Sequence, residues 1–537
     1  MVFEGVPAPL IEYISMLEKM ISSMEDKLKT SQAQIDRLTE LLLLAQKARF
    51  GPSSEKAKYI LADGFEQETL FNEAEVLANE NEPEPVVVAQ HSRKPKRTKE
   101  ELAKDLPVVE KVIDLPEALR ICNICEGVLH AIGQELVRRE LCVIPEQVYV
   151  NEIYRVTYSC DDCLKETDEA NIIKPEVPAP VVKRGLASPS SVAHVMYQKF
   201  VNSMPLYRQS KHWENFGAKV SRGTLANWII YVSLRWLLPL WEAWKIILLG
   251  SPVIMADETV VQVLKEPGKT PQSESRMWVY CTGNVARPPP IVLFEYQPNR
   301  SGDHPKAFLD IAHKFFLHTD GYSGYGAVVN AVHCGCFAHL RRKFEEAMPK
   351  NAPTDNCARI GFEFCQKLFA LERNFEKLEP EDRLGKRIEQ SKPVLDKFYK
   401  WVGNVNPLAG SKLSKAITYA VNQREQLSMF LVDGRIELST NRIENKIRPF
   451  ACGRRNWLFA DTVDGAKASA TAYSIIQTAV ANNLNPYKYL LHLFTELPTV
   501  LTKDPNADLS PFFPWSDEVQ RKCRNAQGGK SKLTLLE

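Results

Sequence analysis

No stretch of this sequence is apolar for long enough to cross a bilayer. The nearest candidate, Trp236–Leu249, is short and broken by Pro239, Glu242 and Lys245. The N-terminus lacks the basic-then-apolar pattern of a signal peptide, so a cytoplasmic protein with no membrane partner is expected. Net charge of one sign is missing too: 68 basic and 66 acidic residues leave only +2. That balance names no partner by itself; the distribution along the chain has to. The 12 cysteines lack an oxidising setting, and two Cys-x-x-Cys pairs among them point to metal rather than to disulfides. What remains is a globular composition, 44% apolar and 25% charged, in a chain of 537 residues. That length exceeds one core and implies about two to four domains.

Residues 10–46 carry a heptad. Ile14, Ile21, Leu28, Ile35 and Leu42 fall seven apart, and Leu17, Met24 and Leu38 hold the matching d positions, with Ser31 the exception. Such a pattern favours a parallel homomeric coiled coil over residues 1–50; a helix packed on its own protein is the other reading. Gly51-Pro52-Ser53-Ser54 ends it. Residues 51–110 hold too few apolar side chains for a core and read as a linker. Acids concentrate in 63–84, and Arg93, Lys94, Lys96, Arg97 and Lys99 follow. This basic run either tracks phosphates or is a solvated tail.

Cys122-x-x-Cys125 and Cys160-x-x-Cys163 bracket 34 residues of strand-like sequence within a module over 111–180. Four thiolates on two such knuckles can close around a structural Zn²⁺, as in a zinc ribbon. A redox pair fits less well, because neither motif opens a helix after a buried strand; chance thiols are the third reading.

Residues 181–250 read as helical. A segment ending at Phe216 meets Gly217, and Ser221 then caps a second helix from Arg222. Helix, glycine turn and capped helix form the helix-turn-helix pattern, with Arg222, Thr224 and Asn227 facing a DNA groove. An ordinary helical hairpin has the same signature.

From Pro252 the pattern turns to strands. Pro252–Ala256 reads as a buried strand ending at Asp257, and Phe315–Thr319 as one ending at Asp320. Further strands are expected at Val260–Leu264, Met277–Cys281, Ile291–Tyr296 and Val332–Phe337, with a helix at His304–His313. Antiparallel strands followed by alternating helices and strands match a mixed sheet of the ribonuclease-H type, over 251–337 and 431–495. Two carboxylates at neighbouring strand ends repel one another unless a cation joins them. Mg²⁺, with Mn²⁺ as its substitute, takes such oxygen ligands, and two ions suit phosphodiester chemistry. Glu444, in the first turn of a helix capped by Thr440 or Asn441, supplies a third acid. Arg448 sits one turn later on the same face, within reach of a phosphate. Arg454, Arg455 and Trp457 add phosphate donors and a stacking surface. Residues 338–430 read as an inserted helical domain, and 496–537 as a C-terminal tail.

At these residues the sequence resembles the insertion-sequence 66 family of transposases. The resemblance runs through Arg49-Phe50-Gly51, the two Cys pairs, Pro205-Leu206-Tyr207-Arg208-Gln209, Asp257-Glu258-Thr259 and Met277-Trp278-Val279-Tyr280. It continues through Thr319-Asp320-Gly321-Tyr322, Cys336–Lys343, Glu444 with Ile447-Arg448-Pro449, and Gly453–Phe459. The chain departs from the family at Glu126, where glycine is usual, and at Phe337, where tryptophan is usual. The resemblance implies a multidomain α+β protein with a ribonuclease-H-like core in which Asp257, Asp320 and Glu444 form a DDE triad. It implies hydrolysis freeing a 3′-hydroxyl at the transposon end, then attack of that hydroxyl on target DNA. Partners expected are double-stranded DNA of both kinds and a second copy in a dimer or larger synaptic assembly, while a need for accessory proteins encoded alongside stays open. A nucleoid-associated location in the bacterial cytoplasm goes with it.

Some residues stay open. His333, Cys336 and His339 either hold a second metal or serve packing and hydrogen bonding. Glu258 is an alternative ligand that strand alternation turns to the opposite face from Asp257. Pro511–Trp515 is an apolar clasp or a partner motif. A DNA-binding protein without chemistry would account for residues 1–250 but leave the three acids idle. A nuclease that hydrolyses without joining strands would use the same acids.

Overall fold

The computed structural model describes residues 16, 19–21, 23, 24, 147–160, 171–284, 287–311, 313–349 and 351–524. The six at 16–24 are helical and exposed. The rest of the heptad, the charged linker, Cys122, Cys125 and Cys163 lie outside the described residues. Among the described residues, no helix is long and apolar enough to cross a membrane. The chain forms two compact units: one of Met196–Pro205 and Trp228–Asn482 with the N-terminal stretch, the other of Leu77–Val195, Leu206–Asn227 and Asn483–Glu537.

The second of these opens, in its described part, with a small antiparallel pair, β1 (Tyr158–Cys160) and β2 (Asn171–Ile173). Helix α1 (Pro189–Phe200) starts where the Ser188 hydroxyl accepts the Ser191 amide at 3.1 Å. Helix α2 (Leu206–Glu214) is followed by a turn in which Gly217 takes φ +85°, a value open to glycine and strained for other residues. Ser221 then caps α3 (Arg222–Val232), its hydroxyl accepting the Thr224 amide at 3.1 Å. Ser210 locks the turn by donating to the Val220 carbonyl at 2.6 Å.

In the larger unit a π-helical turn, Ser233–Leu237, leads into α4 (Leu238–Leu249). Strand β3 (Val253–Lys265) is 13 residues long and does not end at Asp257. The β-branched residues Thr259, Val260, Val261 and Val263 keep it extended, so the two expected strands are one. It pairs antiparallel with β4 (Glu274–Thr282), and β4 with β5 (Val292–Gln297). On its other side β3 pairs parallel with β6 (Phe315–His318), and β6 with β7 (Ala331–Cys334); helix α5 (Asp303–Phe308) precedes β6. The sheet order is β5-β4-β3-β6-β7. Strand β7 stops at Cys334, short of the expected Phe337, because the next amides leave the ladder. Gly335 donates to the Gln426 carbonyl at 2.9 Å and Phe337 to that of Leu438 at 3.1 Å.

Residues 337–431 are helical in the main: α6 (Phe337–Ala347), α7 (Cys357–Phe375), α8 (Pro380–Lys386), α9 (Lys392–Val402), α10 (Lys412–Asn422) and α11 (Arg424–Ser428). Leu340 and Phe344, one turn apart on α6, pack into a core with Leu368, Phe398 and Ile417. Arg387, fully buried, is held by Glu372 and donates to the Phe430 carbonyl at 2.9 Å, which ties down the returning segment.

The chain then re-enters the sheet layer with α12 (Asn441–Trp457), a short strand β8 (Ala460–Thr462) beside the far end of β3, and α13 (Val463–Ala481). The outer edge of β5 is not left open. Phe294 and Val292 donate their amides to the hydroxyls of Ser474 and Thr478 at 2.7 and 3.0 Å, and Asn482 donates to the Pro290 carbonyl at 2.8 Å. Polar residues four apart on one helix face thus take the place of a further strand beside β5. In the other unit, α14 (Pro486–Lys503) and α15 (Asp517–Cys523) close the described chain. There Tyr489 donates to the Phe512 carbonyl at 2.7 Å, so Pro511–Trp515 is tied down inside its own unit.

Candidate active site

Three elements bring three carboxylates together. Across the parallel ladder Met255 of β3 lies opposite His318 of β6. Two residues further along each strand direction stand Asp257, still within β3, and Asp320, just past the end of β6, so both lie at one level. Helix α12 lies against β3 and β4 and presents Glu444, 6% exposed, from its first turn. Burial and the charges of Asp320, Glu258 and Glu444 together hold the Asp257 carboxyl well above its ordinary value, with His339 acting against them. The carboxylates of Asp320 and Glu444 are thus near enough for their charge to act on Asp257.

Each acid is oriented by its own neighbours. Asp257 Oδ1 accepts the Glu258 amide at 2.8 Å, and Asp320 Oδ1 accepts the Tyr322 amide at 2.9 Å. The turn after Asp320 needs glycine: Gly321 has φ +93°, and a Cβ there would meet Gln423 of the helical segment at 3.2 Å. Tyr419 of α10 donates to the Asp320 carbonyl at 2.9 Å. Thr440 stands at the N-cap of α12, but its hydroxyl makes no cap bond. It lies instead 3.2 Å from Glu444 Oε1 and 3.2 Å from Cys336 Sγ. Glu444 Oε1 also faces His339 Nε2 at 3.8 Å, and Oε2 faces Arg342 at 3.6 Å.

Glu258, though next to Asp257, is engaged elsewhere. Its Oε1 accepts from Arg300 Nε at 2.7 Å and its Oε2 from the Tyr325 hydroxyl at 2.7 Å. Burial and then Asp320 raise its carboxyl, while Arg300 and Tyr325 work against the rise. Arg300 also stacks over the Tyr322 ring at 3.9 Å, so the network braces the loop that carries Asp320. Sequence reasoning passed over Arg300 and gave no role to Tyr325 or to Arg342, although Arg342 lies within the Cys336–Lys343 motif. For His339, the signal was its place three residues after Cys336.

The remaining candidate residues fall as follows. Arg448 is half-buried on α12 and Arg455 is exposed. Arg454 is bonded to the Val260 carbonyl of β3. Trp457 packs its ring on Phe450 at 5.5 Å beneath Lys199 at 5.0 Å. Arg222, Thr224 and Asn227 are all exposed on α3, in the other unit. His333 lies on β7, bonded to backbone at Val328, and its burial lowers its pKa. Cys336 and His339 instead come together with Glu444, their ligand atoms all within 4.8 Å of one another. Burial alone would pull the His339 imidazole down, but Cys336, then Glu444 and Asp320, push it up to about 10.

Comparison with known proteins places these features in one family. The model described as Transposase IS66 family matches residues 184–468, more than half of the chain and all three acids. The IS66 C-terminal element matches 474–515. The zinc-finger binding domain of transposase IS66 matches 120–163, which spans both Cys pairs. A further model, Transposase C of IS166 homeodomain, matches 37–110. Among curated proteins, the chain is similar to the uncharacterized protein y4qI of Sinorhizobium fredii, 28% identical over 515 residues, covering 91% of this chain and 90% of that one. It is similar to y4jD of the same organism, 28% identical over 433 residues, covering 77% and 81%. Four family models in chain order, the longest of them centred on the acidic site, lead to one statement: the chain belongs to the IS66 family of transposases.

Proposed function

We propose that this transposase binds transposon ends and cuts and joins DNA by a two-metal mechanism, with Asp257, Asp320 and Glu444 as the metal-holding acids. The observation that carries it is the convergence of three carboxylates from β3, the loop after β6 and α12, close enough to raise Asp257. The sheet order, three antiparallel strands flanked by two parallel ones, supports a ribonuclease-H-like core with residues 338–430 inserted between its second and third acids. The donor set fits a hard divalent cation: oxygen ligands whose mutual repulsion a cation offsets. Two Mg²⁺ or Mn²⁺ ions, when bound there, supply a reactive oxygen at neutral pH and stabilise the leaving oxygen.

The chain's own residues then do the positioning. Arg342 and Thr440 aim Glu444, while Tyr322 and Tyr419 fix the Asp320 loop. Arg448, one turn beyond Glu444, and Arg455 contact phosphates. In the first reaction, water oxygen bonds to phosphorus as the bond to the transposon 3′-oxygen breaks, leaving a 3′-hydroxyl and a flanking 5′-phosphate. In the second, that 3′-oxygen bonds to a target phosphorus and displaces the target 3′-oxygen. Arg222, Thr224 and Asn227 contact the transposon end, with Arg454 bracing β3 and Trp457 supporting the basic turn beside it. Cys122, Cys125, Cys160 and Cys163 hold a structural Zn²⁺, and two chains pair through residues 1–50.

The test is metal-dependent cleavage of a labelled transposon-end duplex, and joining of a pre-cut end bearing a free 3′-hydroxyl. Asp257→Asn, Asp320→Asn and Glu444→Gln should each lower both rates by about 10²-fold or more while DNA binding persists. Cleavage that survives in all three variants would sink the proposal; cutting without joining would leave a nuclease.

A further inference from the structure

Cys336, His339 and Glu444 form a group whose chemistry differs from that of the acidic trio. We propose that they bind a thiophilic divalent cation, zinc above all, at a site that shares Glu444 with the magnesium ligands. This rests on the reading of Glu444 as one of those ligands. One sulfur, one imidazole nitrogen and one carboxylate oxygen, all within 4.8 Å of one another, make a donor set suited to zinc and foreign to magnesium. Three protein ligands with a fourth position left over is the composition of an open zinc site.

The group is built into the fold. Cys336 is the N-cap of α6 and His339 lies in its first turn, so the thiol and the ring stand over the same helix end. Glu444 comes from the first turn of α12, and the bond from the Phe337 amide to the Leu438 carbonyl, 3.1 Å long, clamps the two helix starts together. Cys336 Sγ is fully buried and accepts the Thr440 amide at 3.2 Å, while the Thr440 hydroxyl lies 3.2 Å from both Sγ and Glu444 Oε1. Hydrogen bonds of this kind to ligand atoms orient metal ligands in known sites. The second ring nitrogen of His339, Nδ1, is buried with no hydrogen-bond partner. It is the ring, with Nε2 toward Glu444, that gives the site its nitrogen. A cation held here draws Glu444 Oε1 toward sulfur and nitrogen and away from Asp257 and Asp320. Zinc therefore opposes magnesium at the acidic site.

The experiment is zinc stoichiometry of the full-length protein, loaded with zinc, desalted and measured by elemental mass spectrometry, with thermal melts to confirm folding. Wild type and Asp257→Asn should carry one more equivalent than Cys336→Ser and one more than His339→Gln, the finger zinc being common to all four. The same variants loaded with Co²⁺ should show a thiolate charge-transfer component that Cys336→Ser lacks. Equal zinc in all four proteins would overturn the proposal. So would loss of the extra equivalent in Asp257→Asn with its retention in Cys336→Ser, which would put the ion on the acidic trio. If Asp257→Asn keeps its extra zinc but also keeps full cleavage, the catalytic reading fails and the zinc site stands.

Discussion

Met255 faces His318 across the parallel ladder of β3 and β6, and that one register brings Asp257 level with Asp320 although 62 residues lie between them. The relationship has an energetic side. Two acids delivered to one point by a rigid sheet cannot move apart to relieve their repulsion.

Asp257→Asn should therefore stabilise the metal-free protein by about 1 kcal/mol, the usual gain when a functional strain is removed. Thermal melts with and without Mg²⁺ check this. Wild type should gain stability from Mg²⁺ and Asp257→Asn should gain little, since ligand binding to the folded state alone raises stability. An unchanged metal-free melt together with a full Mg²⁺ shift in the variant would contradict the shared-cation geometry.

Glu295, on β5, should give a pH-dependent loss of stability unconnected with the acidic site. Burial raises its carboxyl from 4.5 to about 7, against the pull of Gln297 and Lys245, and its Oε2 has no hydrogen-bond partner. The folded state thus keeps a proton that the unfolded state releases. The penalty is absent below pH 4.5 and grows until the pH passes about 7. Glu295→Gln should remove a component on the order of 2 kcal/mol from the fall between those limits, measured by urea unfolding at several pH values.

Leu458 is the centre of a strained turn at the end of α12. It takes φ +64° and ψ −52°, the Phe459 amide donates back to the Trp457 carbonyl at 2.8 Å, and the side chain is exposed. Glycine relieves that strain and gives up no packing, so Leu458→Gly should raise the urea midpoint by the equivalent of about 1 kcal/mol. A lower midpoint would show that the exposed leucine makes a stabilising contact.

Thr478 closes the edge of β5 by accepting the Val292 amide at 3.0 Å and donating to its carbonyl at 2.9 Å. Thr478→Val keeps the shape and strands both groups in a buried setting, at a cost of about 1–3 kcal/mol. Hydrogen exchange at Val292 should accelerate in the variant. Unchanged stability would mean that the edge finds other partners.

Several of these features were legible in the residues alone. Asp257 and Asp320 stood out because each follows an apolar run, and Ser221 because a hydroxyl residue preceded a new helical pattern after a glycine. The strand limits were less legible. The run through Val263 extends β3 past Asp257 because β-branched residues continue there, and β7 ends early because the amides of Gly335 and Phe337 bond to the segment returning from the helices. Thr440 was readable as a cap by its type, yet its hydroxyl serves Glu444 and Cys336. Local preference ranks the choices of such a residue, and tertiary neighbours make the selection.

By itself the sequence determined the candidate acids, the paired cysteines, the capped helix after Gly217 and the family to which they point, because each is a short-range pattern of residue type and spacing. Only the tertiary structure decided which groups share a point in space. The parallel register sets Asp257 beside Asp320, the return of the chain after the helical segment brings Glu444 to Cys336 and His339, and Arg300 with Tyr325 takes Glu258 out of the acidic trio. These pairings join residues up to about a hundred positions apart, and the loop closures that create them leave no local periodicity to read.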